Sequence, residues 1–411
     1  MDEPLRIRGK RGCGVSVAVH DGDGDLLLYC SGSERFGRDF PVNPDMLFQA
    51  GSVSKPMFTL TLLRYADKGI IAPDADISNI VPEFVKKGSM TFAALLSHTA
   101  SFSVHGFPGY RADHEPLSPE DVLNGKGNSP RLRRIRPYGK QYMYSGGGIT
   151  LAEPAFTRIT GTTLREAFRK EVAEPLGLKR SGYFQPLDEG LVSNAAFGGR
   201  LGEKEDPAHG YHYYPEHAAA GFWTTPTELV KIGLALSRSF RRGGLLKKKT
   251  ARRMLTPVMD TYGLCIHNFQ GDIGYHGGWN EGFLTEWWFS LWEDLCAASM
   301  VNRSTEALAR AHVQTSLELF QTVEERTAED MSKRGWKARC GKYEQLNPDF
   351  LLEEVFMKDG DLYAKITGED SEFTGKLYPI GKNTFGRKGG LAKIVFGENC
   401  LTVDGITCKK L

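Results

Sequence analysis

The sequence has no long apolar run and almost no excess of charge. None of its 411 residues falls in a segment that approaches the roughly 18 consecutive apolar residues of a membrane-spanning helix, so we expect no transmembrane span. The formal net charge of +2 gives no overall signal for binding nucleic acid or a membrane surface. Residues 1–6 lack the apolar stretch of a secretory signal, so we predict none.

A disulfide framework and a metal motif are missing as well. The seven cysteines are odd in number and scattered, which favours reduced thiols in a cytoplasm. His209, His212 and His217 lie close together in the sequence, but their spacing matches no strong zinc motif. We therefore predict a cytoplasmic protein with no metal, no other cofactor and no nucleic-acid partner.

The composition that is present belongs to a globular protein. Hydrophobic residues make up 40% of the chain and charged residues 25%, and the length suits one large or two ordinary domains. Two basic runs, at 131–136 and 238–253, are interpreted as solvated surface. Recognition of an acidic partner is the alternative for both runs.

The chain is organised around the sequence Gly-Ser-Val-Ser-Lys-Pro at 51–56, followed by an apolar run at 57–71. Positions i and i+3 share one face of a helix, so Ser52 and Lys55 are expected to lie together at its first turn. The proline is tolerated near a helix start, and Gly69 suits the helix end.

This spacing of serine and lysine suits nucleophilic catalysis. A serine hydroxyl needs a base to take its proton, and lysine is a base only when it is neutral. Lowering a lysine pKa from about 10.4 to about 7 costs roughly 4–5 kcal/mol, and both burial and the positive helix end act in that direction. Backbone N–H groups at the same helix end can hold an oxyanion. The alternative is a capping serine beside a solvated lysine.

Two later segments contain candidate partners. Tyr144-Ser145-Gly146 is followed by two more glycines and a helical period, and a phosphate loop is excluded because no Gly-Lys-Ser/Thr follows. Tyr144 is either a core aromatic or a proton shuttle whose pKa a neighbouring lysine lowers. His276 stands beside two glycines in a strand-like run, where the backbone can approach a ligand closely. His98 is interpreted as a hydrogen-bonded structural histidine.

The three elements together resemble the active-site motifs of the serine β-lactamase and penicillin-binding-protein-like superfamily, nearest its class C β-lactamase branch. S-x-x-K matches Ser52 and Lys55. Y-x-N corresponds to Tyr144-Ser145-Gly146, and K-T-G corresponds to His276-Gly277-Gly278, the H-x-G variant of non-lactamase members. The resemblance extends over roughly residues 12–320.

The resemblance implies a role for each matched residue. Ser52 attacks a carbonyl and becomes acylated, while Lys55 and Tyr144 share the work of general base and then protonate the leaving group. His276 assists the Tyr144 hydroxyl or contacts the substrate. The backbone N–H groups of Ser52 and Trp279 form the oxyanion hole. Three glycines are expected to contact the substrate: Gly146, Gly277 and Gly278.

Two departures from the family pattern limit the substrate. Gly146 replaces an asparagine that typically contacts a substrate amide, and His276 replaces a positively charged lysine that helps to hold a substrate carboxylate. A histidine is mostly neutral at pH 7 unless its environment perturbs it. An esterase, or a peptidase or amidase with another anchor, therefore fits better than an efficient β-lactamase.

The implied fold is α/β (α+β), a β-lactamase/transpeptidase-like antiparallel sheet flanked by helices with an all-helical subdomain. We assign residues 1–325 to this hydrolase domain and 326–338 to a charged connector. Residues 339–411 have strand-like runs split by turn signals, which predicts a small all-β barrel. This tail resembles the lipocalin-like C-terminal domains of some peptidase members. It is either a packing or oligomerisation module or the source of a loop that restricts the active-site mouth.

The sequence predicts a serine hydrolase that acts through a Ser52 acyl-enzyme on small peptides, amides or esters, with D-residues as an option. A non-hydrolytic penicillin-binding-like receptor and an acyltransferase remain as alternatives. An α/β-hydrolase is disfavoured because no G-x-S-x-G occurs. The expected partner is a small molecule or a short peptide, and a homo-oligomer is left open.

Overall fold

The computed structural model forms two compact units. The larger holds the described residues at 14–20 and between 24 and 312, and the smaller holds those from 339 to 411. The charged connector predicted at 326–338 lies outside the described residues. The structure describes residues 14–21, 24–35, 40–85, 90–111, 114–115, 117–198, 210–269, 272–304, 312, 339–345, 351–368, 371–381, 384–387, 390–396, 400–403 and 406–411.

A six-stranded sheet lies at the centre of the larger unit. The strands of this unit are β1 Val15–Asp21, β2 Leu26–Ser31, β3 Phe48–Gln49, β4 Trp223–Thr224, β5 His267–Phe269, β6 Ile273–Asn280, β7 Phe283–Ser290 and β8 Leu295–Val301. The sheet has the order β2-β1-β8-β7-β6-β5, and β3 pairs separately with β4. The strands β1 and β2 pair antiparallel, and β5 to β8 form a continuous antiparallel meander.

Helices pack against this sheet and against one another in the same unit. They are α1 Ser54–Asp67, α2 Phe92–Leu96, α3 Pro119–Leu123, α4 Gly146–Thr160, α5 Leu164–Phe168, α6 Glu174–Leu176, α7 Glu189–Val192, α8 His217–Ala220, α9 Pro226–Arg242 and α10 Lys248–Leu255. A 3-10 turn, Gly51–Val53, leads directly into α1. The helix α9 packs against β7 and β8, and α8 packs between α1 and α4.

The helix α1 is buried on almost every side, as the apolar run at 57–71 predicts. It ends at Asp67, and Gly69 follows with a φ of +76°, a left-handed conformation that glycine adopts without strain. None of the helices in the described ranges is both long and apolar enough to cross a bilayer.

The smaller unit consists of eight antiparallel strands around their own apolar core. The strands are β9 Gly341–Gln345, β10 Leu351–Lys358, β11 Asp361–Gly368, β12 Ser371–Gly381, β13 Thr384–Arg387, β14 Gly390–Phe396, β15 Cys400–Val403 and β16 Ile406–Lys410. Each strand pairs with the next in the chain, and β9 pairs with both β10 and β16, so the order closes on itself. Val355, Leu362 and Leu401 are among its fully buried side chains.

Candidate active site

Ser52 and Lys55 are brought together as the sequence predicts. Ser52 lies in the 3-10 turn and Lys55 in the first turn of α1. The Lys55 Nζ donates hydrogen bonds to Ser52 Oγ at 2.9 Å and to the Ala219 carbonyl oxygen of α8 at 2.8 Å. The amine is thus held between the nucleophile and one fixed acceptor.

The Lys55 amine is close to neutrality at physiological pH. The side chain is only 2% exposed, and burial lowers its pKa to about 7. A thiolate at the neighbouring Cys265 would raise the pKa of Lys55 again. Burial, however, raises the pKa of that thiol to about 12, so the thiol is uncharged at neutral pH. Lys55 can therefore accept the Ser52 proton.

Two glycines let strand β6 pass directly against the Ser52 turn. A Cβ on Gly278 would lie 1.9 Å from the Ala50 carbonyl oxygen and 3.2 Å from Ser52 N. A Cβ on Gly51, whose φ is +53°, would lie 2.6 Å from Trp279 N. The backbone N–H groups of Ser52 and Trp279 thus belong to two segments of the chain in close contact, the arrangement that an oxyanion hole needs.

Tyr144 lies beside this pair, at the entrance to α4. The Lys55 Nζ lies 5.1 Å from its ring centroid. Burial raises the pKa of the Tyr144 hydroxyl more than the Ser52 side chain lowers it, which is the opposite of the lowering that a shuttle deprotonated at rest would need. The phenol therefore keeps its proton at neutral pH and has a proton that it can donate.

His276 lies in the site with both ring nitrogens engaged. Because a carbonyl can only accept, Nδ1 carries the proton and donates to the Gly277 oxygen at 2.7 Å. Nε2 then accepts from the Tyr262 hydroxyl at 3.2 Å. Burial, followed by the Lys55 charge, lowers the pKa of His276 to about 3. Its ring centroid lies 6.5 Å from that of Tyr144. The imidazole is therefore a neutral ring beside Tyr144 at pH 7.

The expected glycine positions differ in their surroundings. A Cβ on Gly146 would lie 2.9 Å from both the His105 carbonyl oxygen and the Phe107 ring, so an asparagine side chain has no room there. Gly278 faces the Ser52 turn. A Cβ on Gly277, one residue earlier, would lie against the Tyr275 hydroxyl and the Glu286 carboxyl. Gly277 therefore faces the opposite side of the strand from Gly278.

Aromatic and imidazole rings complete the site. His98 lies 4.4 Å and His105 4.8 Å from the Tyr144 ring centroid. His98 Nδ1 accepts a hydrogen bond from Ser145 N at 3.2 Å, which agrees with its interpretation as a structural residue. Sequence reasoning missed His105 and Tyr262, because a lone ring in a loop carries no motif.

The described residues contain no group of three or more His, Cys, Asp or Glu side chains that could hold a metal ion. His209 lies outside the described residues. His212 Nδ1 donates to the Pro108 carbonyl at 2.8 Å, and His217 Nδ1 contacts the Glu153 carboxylate at 2.8 Å. These two histidines serve protein contacts.

Comparison with known proteins agrees with this geometry. A family profile described as Beta-lactamase matches residues 6–318. Esterase EstB of Burkholderia gladioli is 28% identical over 44% of this chain and 49% of its own. The chain spans about half the length of the curated relatives it matches.

Two solved structures show the same fold at low identity. The D-amino acid amidase from Ochrobactrum anthropi SV3, complexed with L-phenylalanine amide, superimposes with a TM-score of 0.63 at 18% identity, over 76% of this chain and 94% of its own. The octameric penicillin-binding protein homologue from Pyrococcus abyssi gives a TM-score of 0.56 at 18% identity, over 97% and 96%.

Proposed function

The chain belongs to the Beta-lactamase family, and on that premise we propose that it is a serine hydrolase that cleaves small esters or amides through an acyl-enzyme on Ser52. One observation carries the proposal. The buried Lys55 amine lies 2.9 Å from Ser52 Oγ, and its pKa is about 7. A hydroxyl beside a buried, near-neutral amine is an activated nucleophile.

In the first step the neutral Lys55 amine takes the Ser52 proton while Oγ attacks the substrate carbonyl carbon. The carbonyl π electrons move to its oxygen, which the N–H groups of Ser52 and Trp279 receive. The intermediate collapses when the leaving group departs with the Tyr144 phenol proton. The Lys55 ammonium returns a proton to the phenolate, and water then releases the acyl group by the same steps.

A neutral pocket favours substrates without a carboxylate next to the scissile bond. His276 has a pKa of about 3 and supplies no positive charge where the family pattern has a lysine. The backbone at Gly146 leaves no room for an amide side chain. Both features support esters and uncharged amides over penicillins. Some of the similar proteins are by name hydrolases, such as EstB and the D-amino acid amidase, and others are by name acyltransferases; we propose hydrolysis, with acyl transfer as the second candidate.

The smaller unit is proposed to be a lipocalin-like barrel that acts as a packing or oligomerisation module. Its strand order closes on itself around a separate core. The similar structure from Pyrococcus abyssi, matched over 97% of this chain, is described as octameric. We propose by extension that this chain forms a homo-oligomer and acts on a small-molecule or short-peptide substrate.

The proposal is tested with a substrate panel of p-nitrophenyl acetate, D- and L-aminoacyl p-nitroanilides and nitrocefin. We expect sustained turnover of at least one ester or anilide, poor turnover of nitrocefin, and complete loss in Ser52→Ala. Ser193→Ala, at an exposed position outside the site, is the matched control and should behave as wild type. A single-equivalent burst without turnover would identify a receptor instead. Turnover in Ser52→Ala would refute the acyl-enzyme.

A further inference from the structure

The acceptor that holds Lys55 lies on a helix too short to hold itself in place. Ala219 belongs to α8, which has only four residues. Isolated helices of this length are unstable, and their first N–H groups have no partner within the helix. The residue at the helix start, Glu216, provides no side-chain cap. Another part of the chain must fix α8.

Glu153, in the middle of α4, supplies the missing cap from outside. Its Oε2 accepts the Ala218 N–H at 2.9 Å, and its Oε1 contacts His217 Nδ1 at 2.8 Å. The carboxylate is 6% exposed, so water competes little for these bonds. Burial is the largest single effect on the pKa of His217 and lowers it, but the Glu153 charge, the hydrogen bond to Glu153 and the Glu216 charge together raise this pKa above its ordinary value. The raised pKa favours the protonated form of His217, in which the contact is a charge-assisted hydrogen bond.

We propose that Glu153 is a positioning residue for the acyl-enzyme chemistry, because it fixes α8 so that the Ala219 carbonyl holds the Lys55 amine against Ser52. The inference rests on the proposed function. The same helix α4 begins directly after Tyr144 and Ser145, so one rigid element positions both the phenol and the acceptor of the amine. No motif marks Glu153 in the sequence.

The test compares Glu153→Ala with Glu153→Gln, whose amide oxygen can still accept the Ala218 N–H. The control is Glu171→Ala. Glu171 is also buried and pairs with Arg64 of α1 and with Lys68, the residue directly after α1, at the end of that helix remote from Ser52. The readouts are kcat and KM for p-nitrophenyl acetate from pH 5 to 9, and the rate at which a fluorophosphonate probe labels Ser52, followed by intact mass.

We expect Glu153→Ala to lose roughly 30- to 100-fold in kcat, since a displacement of about 1 Å at a catalytic group can cost 10²-fold. KM should stay within about threefold, because the substitution removes no contact with the substrate. The midpoint of the pH profile should move below about 7, since the Ala219 carbonyl stabilises the ammonium form of Lys55 more than the neutral amine. Glu153→Gln should remain within about threefold of wild type.

The proposal is overturned if Glu153→Ala keeps wild-type kcat, or if Glu171→Ala loses activity and shifts the pH midpoint equally. If Glu153→Ala does not fold, His217→Ala removes one of the two contacts at a side chain that is 29% exposed. It should then lower kcat about 5-fold, and unchanged kinetics there would equally overturn the proposal. Failure of the proposed function is separable, because it appears as turnover in Ser52→Ala or none in wild type.

Discussion

At the scale of single residues, the chemistry depends on the cost of burying one amine. Burial of Lys55 lowers its pKa from 10.5 to about 7, a differential interaction of roughly 4–5 kcal/mol. Other interactions in the fold offset this destabilisation. With a pKa of about 7, the amine is neutral in about half of the molecules at pH 7. The neighbouring rings add no competing charge, since His276 has a pKa of about 3 and Tyr144 keeps its proton.

The pH dependence of activity should follow this one group. For a neutral ester, kcat/KM should rise with pH through a single limb with a midpoint near 7, because only the neutral form of Lys55 accepts the Ser52 proton. His276 should contribute no limb above pH 5, since its pKa is about 3. Initial rates with p-nitrophenyl acetate from pH 5 to 9 measure this. A flat profile, or a midpoint near 10, would rule out Lys55 as the base.

The same group should make stability depend on pH. The folded pKa of Lys55 is lower than the unfolded value, so between about pH 7 and 10.5 the unfolded chain binds the additional proton. Stability should therefore rise with pH across this window. Relative to Lys55→Met, wild type should gain on the order of 4 kcal/mol between pH 6 and 10.

Urea unfolding of the two proteins at both pH values measures this gain. Lys249→Met, at an exposed lysine, is the control and should follow wild type at every pH. Parallel curves for wild type and Lys55→Met would show that Lys55 keeps an ordinary pKa in the folded state.

At the scale of elements, the site is made by strand β6 lying against the turn that begins α1. Gly278 has no side chain where a Cβ would meet the Ala50 carbonyl at 1.9 Å. This contact is backbone on backbone, so no side-chain rotation can relieve a larger residue. The close approach of the Ser52 and Trp279 N–H groups, the proposed oxyanion hole, therefore depends on the absence of a Cβ at position 278.

Gly278→Ala should consequently separate β6 from the Ser52 turn. We expect kcat/KM to fall at least about 100-fold, because loss of an oxyanion donor costs 10²–10³, and the unfolding midpoint to fall as well. Gly190→Ala is the control, since a Cβ there meets nothing within 4 Å. Steady-state kinetics and thermal unfolding of both variants provide the comparison. Normal activity in Gly278→Ala would show that activity does not depend on the close contact between β6 and the Ser52 turn.

Sequence patterns predicted the helices and strand that carry the matched motifs, but not the side-chain contacts between these elements. The i, i+3 spacing placed Ser52 beside Lys55, and the glycine-rich run after Tyr144 marked the start of α4. The bond between His276 and Tyr262 and the one between Glu153 and Ala218 join segments that no local period connects. Their partners follow from how β6, α4 and α8 pack, which is a property of the tertiary fold.

At the scale of the whole molecule, the residues of the proposed site all lie in the larger unit. The smaller unit has a separate core and its own closed strand order. From the sequence, the charged stretch at 326–338 and the turn-rich strands after it predict a hydrolase domain at 1–325 and an all-β module at 339–411, and these boundaries stay a prediction. What the barrel does could not be predicted, since turn signals specify strands and not partners.

A chain that ends at residue 325 should therefore keep the chemistry. We expect its kcat/KM for p-nitrophenyl acetate to stay within about threefold of the full chain, because no proposed catalytic group is removed. Because an oligomerisation role is proposed for the smaller unit, the shortened chain should also form a smaller assembly than the full chain. Kinetics with this ester, alongside size-exclusion chromatography for oligomeric state, measure both effects. A folded but inert shortened chain would place part of the site in the barrel.

The central claim is that Ser52 is a nucleophile activated by a buried, near-neutral Lys55. The most direct measurement is covalent labelling with a fluorophosphonate, followed by intact mass and peptide mapping at several pH values. The account predicts a single adduct on Ser52, absent in Ser52→Ala, with a labelling rate that rises through a midpoint near pH 7. An adduct on another residue, or labelling that persists in Ser52→Ala, would contradict it.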